Sequence, residues 1–293
     1  MFLYTILLED TAKIAVSEDN SDLYVLEDMG FSYSDMNELI EDYSEELKQK
    51  IKKALQKKSV NLAEKVSQCN LLSPIVHPKQ DILCLGLNYF RDKSERSERG
   101  KDVYPYSSET VYFSKRVNEA VGPDGKILSH SDIVKKLDYE AELAVILGKD
   151  AYQVKPEEVH EYIFGYSIIN DVSARDLQSL HKQWYFGKSL DGFTAMGPCI
   201  ATPDEIKDVD NLRITCSVNG QRRQDGNTGL MIRSIGQTIA ELTTGMTLKA
   251  GTIIAMGTPW GAAKNMDFPV FLKKGDEVVC CIEQIGTLRN SID

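Results

Sequence analysis

Glu140 and Glu142 stand two residues apart in LDYEAELAVILG (residues 137–148), a run that otherwise reads as buried strand. Side chains two apart on a strand share a face, so the two carboxylates are expected to point the same way. Ala141, Leu143, Val145 and Leu147 make the opposite face apolar, and Ala144 and Ile146 continue the acidic face as hydrocarbon. Like charges on a half-buried surface repel, and desolvating them is costly unless a cation offsets it. A metal ion is therefore the first hypothesis that these residues raise. Asp171, at the C-terminal end of an apolar strand over 163–169, is a third candidate ligand, because functional side chains tend to leave a scaffold at such ends. Plainer readings stand beside it. A Glu-x-Glu pair can be a solvated strand face, and Asp171 can turn the chain or cap the helix expected over 174–178. Taken together, three hard oxygen ligands without His or Cys favour Mg²⁺, Mn²⁺ or Ca²⁺ over zinc or copper.

The elements that must position these acids are legible more coarsely. A chain of 293 residues, 42% of them hydrophobic, can bury a large core. Its net charge of -10 argues against a general nucleic-acid or anionic-membrane surface. No apolar run approaches the ~20 residues that a bilayer span needs. The opening MFLYTILLEDTAK lacks a basic n-region and a cleavage site, and reads as a first strand. None of the six cysteines forms a Cys-x-x-Cys pair, which fits reduced thiols in a cytoplasmic protein. The four histidines have no ligand spacing with one another or with cysteine, which argues against zinc.

Residues 1–75 read as a small N-terminal α+β domain. It has strands over 2–8, 13–16 and 23–26 and an amphipathic helix over 35–58, where Leu39, Ile40, Tyr43, Leu47, Ile51 and Leu55 recur at helical spacing. Two prolines in residues 71–78 mark a linker or extended entry. Residues 76–293 alternate strand-like runs with Gly and Pro, which predicts a β-rich α+β domain. Strands are expected over 82–87, 111–114, 139–147, 163–169, 212–218, 252–256 and 277–282, with a helix over 234–242. Asn219-Gly220 is a hairpin signal, and residues 91–102 form a charge-dense, solvated stretch.

Several motifs occur in a fixed order: GLNY (86–89), DYEAELAVILG (138–148), NDVSARDLQ (170–178), GKSLDGF (187–193), VNGQRRQDGNT (218–228) and GTPWG (257–261). As an ordered set they resemble the C-terminal catalytic domain of the fumarylacetoacetate hydrolase family, over about residues 82–288. That resemblance implies a mixed β-sandwich roll, a homodimer, and Mg²⁺ or Mn²⁺ held by Glu140, Glu142 and Asp171. It implies that Lys188 faces an enolate or carboxylate oxygen, where an ammonium would stabilise developing charge. A phosphate-loop reading of Gly187-Lys188-Ser189 fails, because Lys182 stands where that loop needs glycine. Gly257 and Thr258 match residues that hold the substrate carboxylate, although a Gly-Thr-Pro turn is a serious competitor. Arg175 and Gln178 are candidates for lining the site, with capping or ion pairing as their plainer roles.

One departure concerns the lid. Many family members carry a His and a Glu after the GLNY-like motif, where they act as a general-base dyad. Here those positions are Asp92 and Glu95. An Asp has a reference pKa of ~3.9 against ~6.5 for His, which makes it the weaker base near neutrality. Helix-surface ion pairing is the plainer role for both. The leading expectation is a metal-dependent hydrolase that cleaves a C–C bond in an acylpyruvate-type 2-oxo acid, with Lewis-acid stabilisation of an enolate. Glu95, helped by Asp92 or not, would serve the water, and the charged stretch would close over the site. Oxaloacetate decarboxylation, hydroxydienoate isomerisation and dehydration of a 2-keto-3-deoxy acid share that enolate and need no hydrolytic water, so the missing His raises their weight. A catalytically silent metal- and ligand-binding module is the rival of another class.

Overall fold

A computed structural model describes residues 1–56, 64–99 and 109–293; residues 57–58 of the expected helix and 100–102 of the charged stretch lie outside the described residues. The expected N-terminal helix is two, Met36–Asp42 and Glu45–Gln56. Asp35 caps the first by accepting from the Glu38 N–H at 2.9 Å, and the Ser44 hydroxyl accepts from the Leu47 N–H at 3.2 Å to start the second. Between them Tyr43 takes extended backbone, which sets its ring edge-on against Phe164 with centroids 4.7 Å apart. Leu47, Ile51 and Leu55 bury the apolar stripe of the second helix.

The principal sheet has eleven strands. Its path runs Glu64–Lys65, Asp22–Val25, Thr11–Ser17, Phe2–Leu8, Thr194–Ala201, Ile163–Asp171, Ala141–Leu147, Ile253–Ala255, Ile82–Gly86 and Val111–Lys115, with Asn70–Leu72 pairing on Phe2–Leu8. A five-stranded sheet orders Gln221–Asn227, Arg213–Val218, Glu277–Ile282, Gly286–Ile292 and Lys126–Ile127. Ile253–Ala255 runs parallel to Ile82–Gly86, and Gly286–Ile292 parallel to Lys126–Ile127; the remaining pairs in these two sheets are antiparallel. The fold is thus α+β and β-rich with mixed sheets. Asn219 and Gly220 both have positive φ (50° and 75°), the backbone that a tight hairpin between Arg213–Val218 and Gln221–Asn227 requires. Ser234 caps the helix Ile235–Thr243 in a reciprocal capping box with Gln237.

All seven residues of Ala141–Leu147 are buried. Leu143, Val145 and Leu147 pack with Cys216, Ile282 and Leu288 of the five-stranded sheet. Ala144 and Ile146 pack on the other side with Leu39, Ile40 and Ile51 of the N-terminal helices. A strand covered on both faces has no polar side, which explains the near-continuous apolar run after the two acids. Residues 1–75 join the rest through main-chain pairing: Phe2 and Leu3 face Ala201 and Ile200 in antiparallel register. Leu3 is fully buried in the core that also holds Ala144 and Ile200. Leu3→Ala is expected to cost about 2–5 kcal/mol and to shift one cooperative urea transition for the whole chain. Loss of the N-terminal segment in a separate, earlier transition would contradict this shared core.

Candidate active site

Glu142 is carried by Ala141–Leu147, Glu140 immediately precedes that strand, and Asp171 ends its neighbour Ile163–Asp171. The register sets Ala141 opposite Asn170. Around this pair the Asp171 N–H donates to the Glu140 carbonyl at 2.8 Å, and the Glu140 N–H donates to Asn170 Oδ1 at 3.1 Å. Ligand atoms of the three carboxylates lie within 4.8 Å of one another, and all three residues are buried.

Two of the three acids are matched by cations. Lys188, which closes the short helix Tyr185–Lys188, donates to Glu140 Oε2 at 2.5 Å and also to Asp171. Arg175 opens the helix Arg175–His181; its NH2 donates to Glu140 Oε1 at 2.6 Å and its NH1 to Gln178 Oε1 at 3.2 Å. Lys115, at the end of Val111–Lys115, donates to Asp171 and to the Phe193 carbonyl at 2.6 Å. Burial works against the charge of Glu140, but Arg175, then Lys188 and Lys264, hold its carboxyl well below the usual range. Burial likewise opposes the Lys188 ammonium, and Asp171 and Glu140 outweigh it to raise its pKa.

Glu142 differs. Among the described residues it has no ion pair, and it accepts from the Gly257 N–H at 2.8 Å. Burial, followed by the nearby Asp171 and Glu140, pushes its carboxyl well above the ordinary value. Three hard oxygen donors, one buried without a counter-cation, fit a divalent ion of the Mg²⁺ or Mn²⁺ kind. Gly257 is required where it stands. Its φ is +86°, and a Cβ there would meet Asn88 Cβ at 2.9 Å, so another residue would displace the N–H aimed at Glu142.

A small cavity of about 80 Å³ opens over the acids and is lined by Glu140, Glu142, Arg175, Gln178, Lys188 and Thr258, with Tyr89, Trp184 and Trp260 as apolar walls. Asp171 lies beneath Lys188 and is not part of the lining. The Thr258 hydroxyl donates to the Ala141 carbonyl at 2.8 Å and accepts from Gln224 Nε2 at 2.8 Å, which rigidifies the GTPWG loop. Gln178 Nε2 is buried with no hydrogen-bond partner. The lid acids are placed elsewhere. Asp92 caps the helix Lys93–Arg99, accepting from the Ser94 hydroxyl and from the N–H groups of Ser94 and Glu95 at 2.9 and 3.0 Å. The Ser94 hydroxyl, then the Glu95 N–H, lower its pKa. Glu95 accepts from the Arg91 N–H at 2.6 Å, and neither acid lines the cavity.

Three residues of the site escaped the motif reading. Asp138 accepts from the N–H groups of Tyr139, Ala263 and Lys264 at 2.9, 2.8 and 3.1 Å and from Arg175 Nε at 2.8 Å. A buried acid beside the Glu pair was visible in DYEAE. Lys115 and Lys264 gave no local signal, since each looks like a surface lysine until its strand or loop is placed.

The family model described as fumarylacetoacetate (FAA) hydrolase C-terminal matches residues 81–293. The chain belongs to the fumarylacetoacetate hydrolase family. It is 40% identical over 227 residues to oxaloacetate tautomerase YisK of Bacillus subtilis (strain 168), covering 78% of this chain and 74% of that one. Among solved structures it is similar to a fumarylacetoacetate hydrolase (EaFAH) from Exiguobacterium antarcticum, at a TM-score of 0.85 and 34% identity, covering 100% of this chain and 99% of that one. It is also similar to maleylpyruvate hydrolase from Sphingobium sp. SYK-6 in complex with manganese(II) and pyruvate, with TM-score 0.79, 25% identity, and coverage of 100% and 98%. The family's members thus include tautomerases, isomerases and hydrolases. No helix among the described residues is long and apolar enough to cross a membrane.

The unpaired charge of Glu142 generates a test. Without divalent ions, Glu142→Gln is expected to unfold at or above the wild-type temperature, because it removes a buried carboxyl that has no cation. With Mn²⁺ at a hundred times its dissociation constant, the wild type should gain about 2.7 kcal/mol and the variant almost nothing. Equal Mn²⁺ stabilisation of both proteins, read by calorimetry, would remove Glu142 from the ligand set.

Proposed function

We propose that this protein is a divalent-metal-dependent enzyme that interconverts the keto and enol forms of a small 2-oxo acid of the oxaloacetate kind. The observation that carries this reading is the state of the lid. Asp92 holds a helix terminus, with its pKa lowered, and so is a poor base for activating water. C–C hydrolysis needs such a base. Keto–enol exchange needs stabilisation of an enolate and a carrier for one proton. The relationship to an oxaloacetate tautomerase at 40% identity supports the same choice.

Glu140, Glu142 and Asp171 would hold Mg²⁺ or Mn²⁺, and a bound divalent ion supplies Lewis-acid polarisation of the 2-oxo oxygen. Lys188 keeps its proton, because Asp171 and Glu140 raise its pKa, and it lines the cavity where the enolate oxygen would lie. A preformed ammonium held by two carboxylates stabilises that developing charge without reorganising. Thr258 is fixed by Ala141 and Gln224, and Gly257 directs its N–H to Glu142, so this loop forms a rigid floor for the substrate carboxylate. Trp184 and Tyr89 supply aromatic walls that would shield the enolate from bulk water. On ketonisation, water at the cavity mouth would deliver a proton to C3 and take up the one that the enol oxygen loses.

The test follows the ultraviolet absorbance of enol-oxaloacetate with Mn²⁺-loaded protein. Ketonisation well above the buffer rate is expected, together with no acid products from a panel of acylpyruvates. Asp92→Ala should lower stability by about 0.5–2 kcal/mol through loss of the cap while the ketonisation rate stays essentially unchanged. Rapid release of two acids from an acylpyruvate, abolished by Asp92→Ala, would replace tautomerisation with hydrolysis. No turnover of any substrate would favour a silent ligand-binding module.

A further inference from the structure

Lys264 lines the same cavity as the acids and is bound less tightly than the other cations there. It sits in the short 3-10 turn Ala263–Asn265 that follows GTPWG, and its main-chain N–H is anchored on the Asp138 carboxylate at 3.1 Å. Its ammonium stands 3.5 Å from Glu140 Oε1, with the side chain a third exposed, and 5.9 Å from the Trp184 ring centroid. Among the described residues that ammonium makes no hydrogen bond, whereas Lys188 and Arg175 reach their carboxylates at 2.5 to 2.8 Å. A second donor in the lining is also unmet: Gln178, 8% exposed, has its amide nitrogen buried without a partner.

Charge balance leads to the same place. Four carboxylates, Asp138, Glu140, Glu142 and Asp171, are joined by four cations, Lys115, Arg175, Lys188 and Lys264. With every group ionised the cluster is neutral, and a divalent cation would leave two positive charges. A 2-oxo dicarboxylate dianion would neutralise both, while a monocarboxylate such as pyruvate would leave one uncompensated. We propose that Lys264 receives the far carboxylate of a 2-oxo dicarboxylate, and so selects substrates of the oxaloacetate type over those of the pyruvate type. This rests on the reading of the site as one for small 2-oxo acids.

Pyruvate is oxaloacetate without the far carboxylate, so the pair isolates the interaction. The chain's two tryptophans, Trp184 and Trp260, both line the cavity, and their fluorescence reports binding independently of turnover. Titrations of Mg²⁺-loaded protein should show oxaloacetate bound about tenfold more tightly than pyruvate. Lys264→Gln should remove most of that tenfold preference while leaving pyruvate within about twofold of its wild-type affinity, and Lys264→Arg should keep the preference. Equal wild-type affinities for the two ligands would overturn this role of Lys264 and leave the 2-oxo acid reading intact. Equal weakening of both ligands in Lys264→Gln would likewise overturn it, by showing that the lysine serves Glu140 alone. Failure of both ligands to bind the wild type would overturn both proposals.

Discussion

Burying carboxylates together is the constraint from which the rest of this structure follows. A buried carboxylate is stable only when hydrogen-bond donors and cations replace the water it has lost. Asp138 meets that demand with three main-chain N–H groups and Arg175 Nε. Glu140 meets it with Arg175 and Lys188, and Asp171 with Lys115 and Lys188. Glu142 receives the N–H of Gly257. The cluster is therefore asymmetric: cations compensate Asp138, Glu140 and Asp171, and among the described residues none pairs with Glu142 at the cavity. That asymmetry separates a site able to take a cation from an ion-pair network that merely holds a fold together.

The architecture gathers the cluster from several separate parts of the chain. Glu142 and Asp171 come from two adjacent antiparallel strands, Asp138 and Glu140 from the segment leading into the first of them, and the cations from an edge strand, two short helices and the turn after GTPWG. Such a site is held only if those elements cannot move relative to one another. Packing on both faces of Ala141–Leu147 provides that rigidity, with the five-stranded sheet on one side and the N-terminal helices on the other. The N-terminal strands lengthen the principal sheet and bring those helices into place. Residues remote from the site thus help to keep four carboxyl groups buried together.

The period-two pattern identified the buried acids because an acid inside an apolar run is a local anomaly. It placed Glu140 within a continuous strand, whereas the chain changes pairing there. Leu137–Asp138 pairs with Ser173–Ala174, and the long strand begins at Ala141. The ordered motifs identified the family, and the β-rich α+β class followed from the turn spacing. What stayed hidden was long-range: Lys115 beside Arg116, and Lys264 before Asn265, are ordinary polar surface patterns until tertiary pairing carries them to Asp171 and Glu140. The single long helix expected at the N-terminus missed the break at Tyr43 for a similar reason, since the contact with Phe164 that accompanies it is more than a hundred residues away in sequence.

Asp92 shows how a local backbone preference can hold a side chain away from a neighbouring cavity. A histidine is at best a modest helix cap, whereas an aspartate is among the strongest. Asp92 accordingly turns its carboxylate to the Ser94 and Glu95 N–H groups, and hydrogen bonding there lowers the pKa that a general base would need raised. Glu95 is drawn into the same terminus through the Arg91 N–H. Both acids are then oriented by backbone donors, and the strong local preference of Asp for a cap opposes any swing into the cavity. Glu140, Glu142 and Asp171 stand on or beside two strands of the sheet and Lys188 on the helix Tyr185–Lys188, so none of these four is carried by the segment that holds Asp92.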